Sequence, residues 1–342
     1  MYTVKIFSAF RIFEDITMII IQNPSVDPYF NLAAEQYLID NCDEDVFMLW
    51  RNEKTVVIGN NQNAYAEVDR EYADTHGIKV SRRLTGGGAV FHDLGNVNFS
   101  FIIPSDGKGI DFKRYTEPII NSLKKMGLTA ELSGRNDILI DGKKVSGNAQ
   151  CVRNGKVLHH GTLLYSADLS KVAGVLRVDP TKLRSKGIKS VKSRVANIKD
   201  LLCTDMDVCE FMAKIEADFE GERRSFTDTE LCGINKLRCE KFATWDWIWG
   251  RSKEYTLTAK QRFDYGSVEV NVNTDRGIIK EVKLTGDFFG NGDVSELTDT
   301  LKGIRYEYAD VLAHLSKYDV QRYIFGSSAE DISKLLFKNS LL

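Results

Sequence analysis

Residues 137–165 read DILIDGKKVSGNAQCVRNGKVLHHGTLLY, and two turn dipeptides in this stretch decide the fold class. Asp141-Gly142 and Asn154-Gly155 each separate runs of strand-forming residues. Asp-Gly and Asn-Gly favour two-residue type I′ turns, whose central positions both need φ > 0. The stretch therefore predicts a three-stranded antiparallel meander. In a regular hairpin Leu139 pairs with Lys144 and Asp137 with Ser146, so all four side chains share one face. Asp137 and Lys144 are then diagonal neighbours. Lys143 points the other way. Counted from the second turn, His159 lies on the face of Lys144, whereas a bulge at Gly147 exchanges it for His160.

Upstream, RRLTGGGAVFHD (82–93) precedes a further strand, VNFSFII (97–103). Three consecutive glycines are costly in regular structure, at about 0.5–1 kcal/mol each relative to alanine. The loop lies between strands, which fits neither the dinucleotide fingerprint nor the Walker loop. It offers unscreened backbone N–H groups to an anion, beside the forked donors of Arg82 and Arg83. Taken singly, each feature has an ordinary structural reading. The glycines read as a tight turn beside a solvated arginine pair, Lys144 as a lysine on a wet face, and Asp137 as a strand-edge carboxylate. His92, His159 and His160 read as structural histidines, and Cys151 as an inert core thiol. No Cys or His spacing resembles a zinc site.

Further out, Asp27 and Pro28 signal a helix start, and Phe30, Ala33, Ala34, Tyr37 and Leu38 recur at helical spacing to about Cys42. VFMLW and TVVIG flank a polar turn, Arg51 to Lys54, and read as an antiparallel hairpin. A helix over Tyr115 to Met126 stops at Gly127. Residues 182–194 hold six basic side chains and no acidic ones: a solvated loop, a nucleic-acid patch or a flap over an anionic ligand. Past Trp247 the texture changes. SVEVNVN alternates apolar and polar, NTDRG turns, IIKEVKL pairs back, and helical patterns run from about Val294.

At 342 residues the chain exceeds one compact core, and about two domains are expected. The expected division is an extension at 1–17, a catalytic unit at 18–250 and a smaller α+β accessory unit at 255–342. The 46 basic and 48 acidic side chains nearly cancel, which argues against a dedicated nucleic-acid binder. Six cysteines without a C-x-x-C pair fit reduced thiols. Without a membrane-length apolar run or a signal-peptide layout, a cytoplasmic location is expected.

Together, RRLTGGGAVFHDLGNVNFSF, SGRNDILIDGKKVSGNAQ, HHGTLLYSADLS and KGIKSVKSRVANI closely resemble the lipoate-protein ligase A family, from about Asp27 to the C-terminus and including TWDWIWG. The resemblance implies an α+β fold like that of biotin ligases and class II aminoacyl-tRNA synthetases, with a central mixed, largely antiparallel sheet. It also implies two steps: lipoate and Mg-ATP give lipoyl-AMP and pyrophosphate, then a lysine of an acceptor lipoyl domain (an E2 subunit or the glycine cleavage H protein) takes the acyl group. By that likeness Arg83, Gly88, Ala89, Val90, Phe91 and Lys144 contact nucleotide or lipoate, and Asp137 is the expected ATP or Mg²⁺ ligand. The lipoate-facing set is expected to be Lys144, Gly87, His92, His160 and Leu32, with Ala33 and the VFMLW/TVVIG segment helping to wall a dry slot.

Lys144 is the expected catalytic residue. Carboxylate and α-phosphate repel each other, and an ammonium about 4 Å away contributes roughly 4 kcal/mol at an effective dielectric near 20. Residues 178–194 are expected to order over the adenylate, and the protein to be a monomer without a tightly bound cofactor. Leu84-Thr85 departs from the small serines common in the family, as does the long N-terminal extension. An ATP-independent lipoyl or octanoyl transferase is the alternative, yet Ser133-Gly134-Arg135 stands where the cysteine-dependent enzymes of the superfamily carry their nucleophile. Biotin ligation is disfavoured by the missing Arg-Gly-rich signature. A non-catalytic acyl-domain or nucleic-acid binding module is the reading from another class.

Overall fold

In the computed structural model, which describes residues 18–107, 109–168, 175–176, 195–249, 257–275 and 277–338, Asp27 opens the first helix. Its carboxylate accepts from the Tyr29 N–H, and Pro28 takes the first helical position, where an N–H would have no intrahelical partner. This helix, α1 (Pro28–Asn41), is covered on nearly every side, as befits a core helix. Even Asn31 and Glu35 are fully buried. The expectations for 1–17, for the basic stretch 182–194 and for the flap at 178–194 fall outside the described residues, as does 250–256 within the expected boundary.

The strands follow in chain order: β1 (Ile19–Gln22), β2 (Val46–Arg51), β3 (Thr55–Ile58), β4 (Lys79–Arg82), β5 (Val90–His92), β6 (Asn96–Pro104), β7 (Ala130–Ser133), β8 (Asp137–Ile140), β9 (Lys143–Arg153), β10 (Lys156–Leu164) and β11 (Glu222–Arg224). Eight of them form one sheet in the order β11-β1-β2-β6-β10-β9-β8-β7. Only the β1 pairings with β11 and β2 are parallel. The sheet is thus mixed and largely antiparallel, as the sequence implied. A smaller sheet, β4-β3-β5, stands beside it.

The meander forms as expected, with positive φ at Asp141, Gly142, Asn154 and Gly155. Its register differs in one respect. Asp137 pairs with Gly147 rather than Ser146, Ile138 pairs with Ser146 and Leu139 with Lys144, so Val145 is an extra residue. This bulge moves Lys144 to the opposite sheet face, because strand side chains alternate with period 2. The β9–β10 register is regular, with His160 opposite Ala149.

The expected VFMLW/TVVIG hairpin does not form. β2 lies between β1 and β6 in the large sheet, while β3 pairs with β4 and β5. The linker is pulled aside: the Asn31 amide donates to Arg51 O and to Asn52 Oδ1, and Glu53 N–H donates to Val26 O. Both strands are buried on both faces, and continuous burial marks interior strands covered on two sides.

Residues alternate cleanly along β6. Val97, Phe99, Phe101 and Ile103 pack on the face carrying α4, the helix Phe112–Lys125, here preceded by α2 (Ala64–Glu67) and α3 (Arg70–Thr75). Ile102 packs on the other face with α1, which Asn98 and Ser100 share by alternation. Beyond, β12 (Leu257–Phe263), β13 (Gly266–Asp275) and β14 (Ile278–Gly286) form a third, antiparallel sheet with its own apolar core around Val268, Val270, Leu284 and Leu315. This C-terminal region meets the rest through Gly286 N–H to Asn61 O (2.7 Å) and Gly87 N–H to Phe288 O (3.3 Å). Among the described residues no helix is long and apolar enough to cross a membrane.

Candidate functional site

A cavity of about 260 Å³ opens where α1, the glycine loop, the meander and the C-terminal region meet. The loop is built around Arg83. Its Nη2 donates to Gly86 O (2.7 Å) and Gly88 O (2.8 Å), Nη1 to Val57 O (3.2 Å) and Nε to Thr85 Oγ1 (3.0 Å). Burial lowers its pKa to about 10, against the opposing pull of Glu35, so it stays cationic at neutral pH. Among the described residues one Nη1 N–H remains for a ligand. Arg83 thus first shapes the loop and only then faces the cavity.

The three glycines have three separate reasons. A Cβ on Gly86 would lie 2.2 Å from Phe288 O, so Gly86 lets the C-terminal region close on the loop. Gly87 has φ +90°, which side chains resist. A Cβ on Gly88 would meet nothing within 4 Å; Gly88 lines the cavity and leaves the backbone bare toward it. Gly87 lines the cavity beside Gly88, whereas Gly86 does not.

Across the cavity, Lys144 Nζ lies 2.7 Å from Asp137 Oδ1, both side chains about one-third exposed. The Val145 bulge puts them there. Gly147 clears their path: a Cβ on it would sit 3.2 Å from Nζ. The backbone at Lys144 is pinned where its carbonyl accepts from Ala196 N–H.

A buried polar chain runs beneath the loop. Trp50 Nε1 donates to Ser100 Oγ (2.8 Å), Ser100 Oγ to Glu35 Oε1 (2.6 Å), and His160 Nδ1 lies 2.9 Å from the same oxygen. His160 Nε2 is 2.7 Å from Thr85 Oγ1, which also accepts from Arg83 Nε. A carboxylate only accepts, so Nδ1 carries the proton and Nε2 is left to accept from Thr85. The glycine loop is thereby tied to α1 through Thr85, His160 and Glu35. His92 is held differently. The Asn52 amide, oriented by Asn31, donates to Nδ1 (3.1 Å). Burial, with Arg83 and His160 adding, lowers the His92 pKa to about 3. The neutral ring then carries its proton on Nε2, which has no partner among the described residues.

Leu32, Trp50 and Val57 give the cavity an apolar wall, although the last two come from separate sheets. Lys144, Asp137, Arg83, Gly87, Gly88, Ala89, Val90, His92, His160 and Leu32 all line it. Phe91 does not: its side chain packs with Val56 and Ile58 in the core of the small sheet. Ala33 is core as well. Arg82 is no anion ligand, since its buried guanidinium donates to Gly59 O, Asn60 O, Gln62 O, Trp247 O and Ile248 O, bolting β4 to the helix Trp245–Ile248. His159 lies on the opposite face, stacked on Tyr115. Burial pushes the Cys151 thiol up to about 12, and among the described residues no cysteine lines the cavity.

Sequence reasoning missed Glu35, Asn98, Asn148, Arg135 and the C-terminal residues Arg262, Asp287 and Phe289, all of which reach or support the cavity. A signal existed for Glu35, a carboxylate in line with the apolar positions of α1. None existed for Arg262, whose contact spans the chain.

Comparison with known proteins agrees with this geometry. Residues 27–220 match the lipoyl protein ligase A/B catalytic domain, and residues 252–336 match the bacterial lipoate protein ligase C-terminus. Lipoate–protein ligase 1 of Staphylococcus aureus is 39% identical over 321 residues, covering 92% of this chain and 98% of that protein. Among solved structures, the bipartite lipoate protein ligase of Thermoplasma acidophilum, studied with its E2 lipoyl domain, superposes with a TM-score of 0.62 at 30% identity, covering 71% of this chain and 99% of that one. A lipoate-protein ligase A bound with ATP gives 0.59 at 29%, covering 69% and 99%. Matched in both of its regions and along nearly all of a curated relative, the chain belongs to the lipoate–protein ligase family.

Proposed function

We propose that the protein joins free lipoate to ATP, forming lipoyl-AMP and pyrophosphate, and then passes the lipoyl group to a lysine of an acceptor lipoyl domain such as an E2 subunit or the glycine cleavage H protein. One observation carries this reading. Lys144, the bare backbone at Gly88 and an apolar wall of Leu32, Trp50 and Val57 line one cavity, so an ammonium shares it with an anion seat and a slot for an aliphatic tail. Lipoate would lie with its tail against Leu32 and Trp50 and its carboxylate at Lys144 and the His92 Nε2–H. The α-phosphate would rest on Gly88 and Ala89, and Lys144 would stabilise the charge that builds as the carboxylate attacks. Mg²⁺ enters with ATP as part of the substrate. Among the described residues no three potential ligands cluster, so phosphate oxygens would supply most of its coordination, with Asp137 adding a carboxylate. The ATP-bound and lipoyl-domain-associated relatives support both half-reactions. In this reading residues 18–250 form the catalytic unit, 255–342 form the accessory unit, and the protein acts as a monomer.

The deciding experiment is pyrophosphate release from ATP with a panel of short acids. The reading requires release that depends on lipoate and falls with straight-chain acids too short to reach Trp50. Acyl transfer without any pyrophosphate release would assign the protein to the ATP-independent transferases instead.

A further inference from the structure

Four cationic side chains line the cavity, and three have settled partners. Arg83 is committed to the glycine loop, and Lys144 pairs with Asp137. Arg262 pairs with Asp287, yet Arg135 and Arg262 both keep donors unused. Arg135 precedes β8, lies over the Phe289 ring at 4.3 Å from its centroid and gives one donor to Tyr265 O (2.5 Å). Arg262 stands on β12 and uses Nη1 alone, on Asp287 (3.0 Å) and Ser267 Oγ (3.1 Å). Among the described residues, Nε and Nη2 of both have no partner. Each guanidinium is therefore held at its base while its other donors remain open on a shared wall. Asp287 already offsets part of the repulsion between them, and a polyanion on the open donors would offset the rest. The planar forks match phosphoryl oxygens in pairs.

We propose that Arg135 and Arg262, one from the meander side and one from the C-terminal region, form a subsite for pyrophosphate: the β- and γ-phosphates of ATP before reaction and the leaving group after it. This rests on the ligase reading above. With the α-phosphate at Lys144 and Gly88, the remaining phosphates leave along the wall where Arg135 sits two residues before Asp137. In the step itself the carboxylate oxygen bonds to the α-phosphorus, the bond from that phosphorus to the bridging oxygen breaks, and pyrophosphate departs with the electron pair. No proton need move. The arginines hold the charge that appears on the departing oxygen, and the site becomes complete only when the C-terminal region is docked.

The test titrates the full-length protein with magnesium pyrophosphate by calorimetry, in the wild type and in Arg135→Gln, Arg262→Gln and Arg262→Lys. Arg262→Lys keeps a cation beside Asp287 while removing the fork, which separates folding from binding. Each variant should bind pyrophosphate about tenfold more weakly, with a matching rise in KM for ATP and no change in KM for lipoate. Unchanged pyrophosphate affinity, or a wild type that binds none, overturns the subsite. So does a loss confined to transfer from synthetic lipoyl-AMP to a lipoyl domain, which would assign the arginines to the acceptor. Arginine-dependent pyrophosphate binding in a protein that releases none from ATP and lipoate would leave the subsite standing and remove the ligase reading.

Discussion

Replacing Lys144 by methionine keeps the aliphatic stem and removes only the ammonium. At about 4 Å from a phosphoryl oxygen, that charge contributes roughly 4 kcal/mol at an effective dielectric near 20. The side chain is 38% exposed, and solvent screening reduces this to about half. Each 1.36 kcal/mol is about tenfold in rate, so adenylate formation should fall between roughly 30-fold and 1,000-fold. Stability should scarcely change, because the lost partner is a part-exposed Asp137, and such pairs contribute about 0–1 kcal/mol. The assay is single-turnover pyrophosphate release with free lipoate and ATP, paired with a thermal melt. Release within threefold of wild type would refute the electrostatic argument, and so would a loss of activity that merely tracks a large drop in Tm.

Two further predictions separate the other parts of the site. Gly86→Ala drives a Cβ to within 2.2 Å of Phe288 O and should cost about 1–3 kcal/mol by overpacking, seen as a lowered denaturation midpoint; Gly88→Ala meets nothing within 4 Å and should leave that midpoint alone while raising KM for ATP. On the acid side, His92 is held near 3 in the fold against 6.5 when unfolded, and burial lowers His159 as well. The unfolded chain therefore binds more protons, so this contribution to stability is present above 6.5 and is lost as pH falls from 6.5 toward 3. His92→Gln should flatten that slope in urea titrations across the window, and an unchanged slope would show that the ring is not buried neutral.

Much of the fold was legible because the decisive signals were local. Asp27-Pro28, Asp141-Gly142 and Asn154-Gly155 act through backbone requirements at their own positions, and α1 and the meander follow from them. What failed depended on distant partners. VFMLW and TVVIG look like a hairpin in isolation, and their separation depends on other strands that claim each of them and on the linker's bonds to Asn31 and Val26. Glu35 lies in line with the apolar positions of α1, but its partners Ser100 and His160 come from strands far along the chain. Arg82 and Arg83 are adjacent in sequence, yet alternation sends one into a ring of carbonyls and the other beneath the glycine loop. Phe288 and Arg262 touch the site from some two hundred residues away in the chain, beyond anything a short motif encodes.

The single surplus residue at Val145 has a consequence for how this strand tolerates change. What it sets is a parity. Many apolar side chains would fill the space of Val145 in the core, whereas pairing every residue of this strand without the bulge would rotate the lysine by half a pleat, away from Gly88 and toward Ile138 and Phe99. A bulge-free β9 of the same length would then have to sink an ammonium into oil or unpair its hairpin. Swapping letters between Lys144 and Ser146 is a matter of degree, and changing how they pair is a matter of kind.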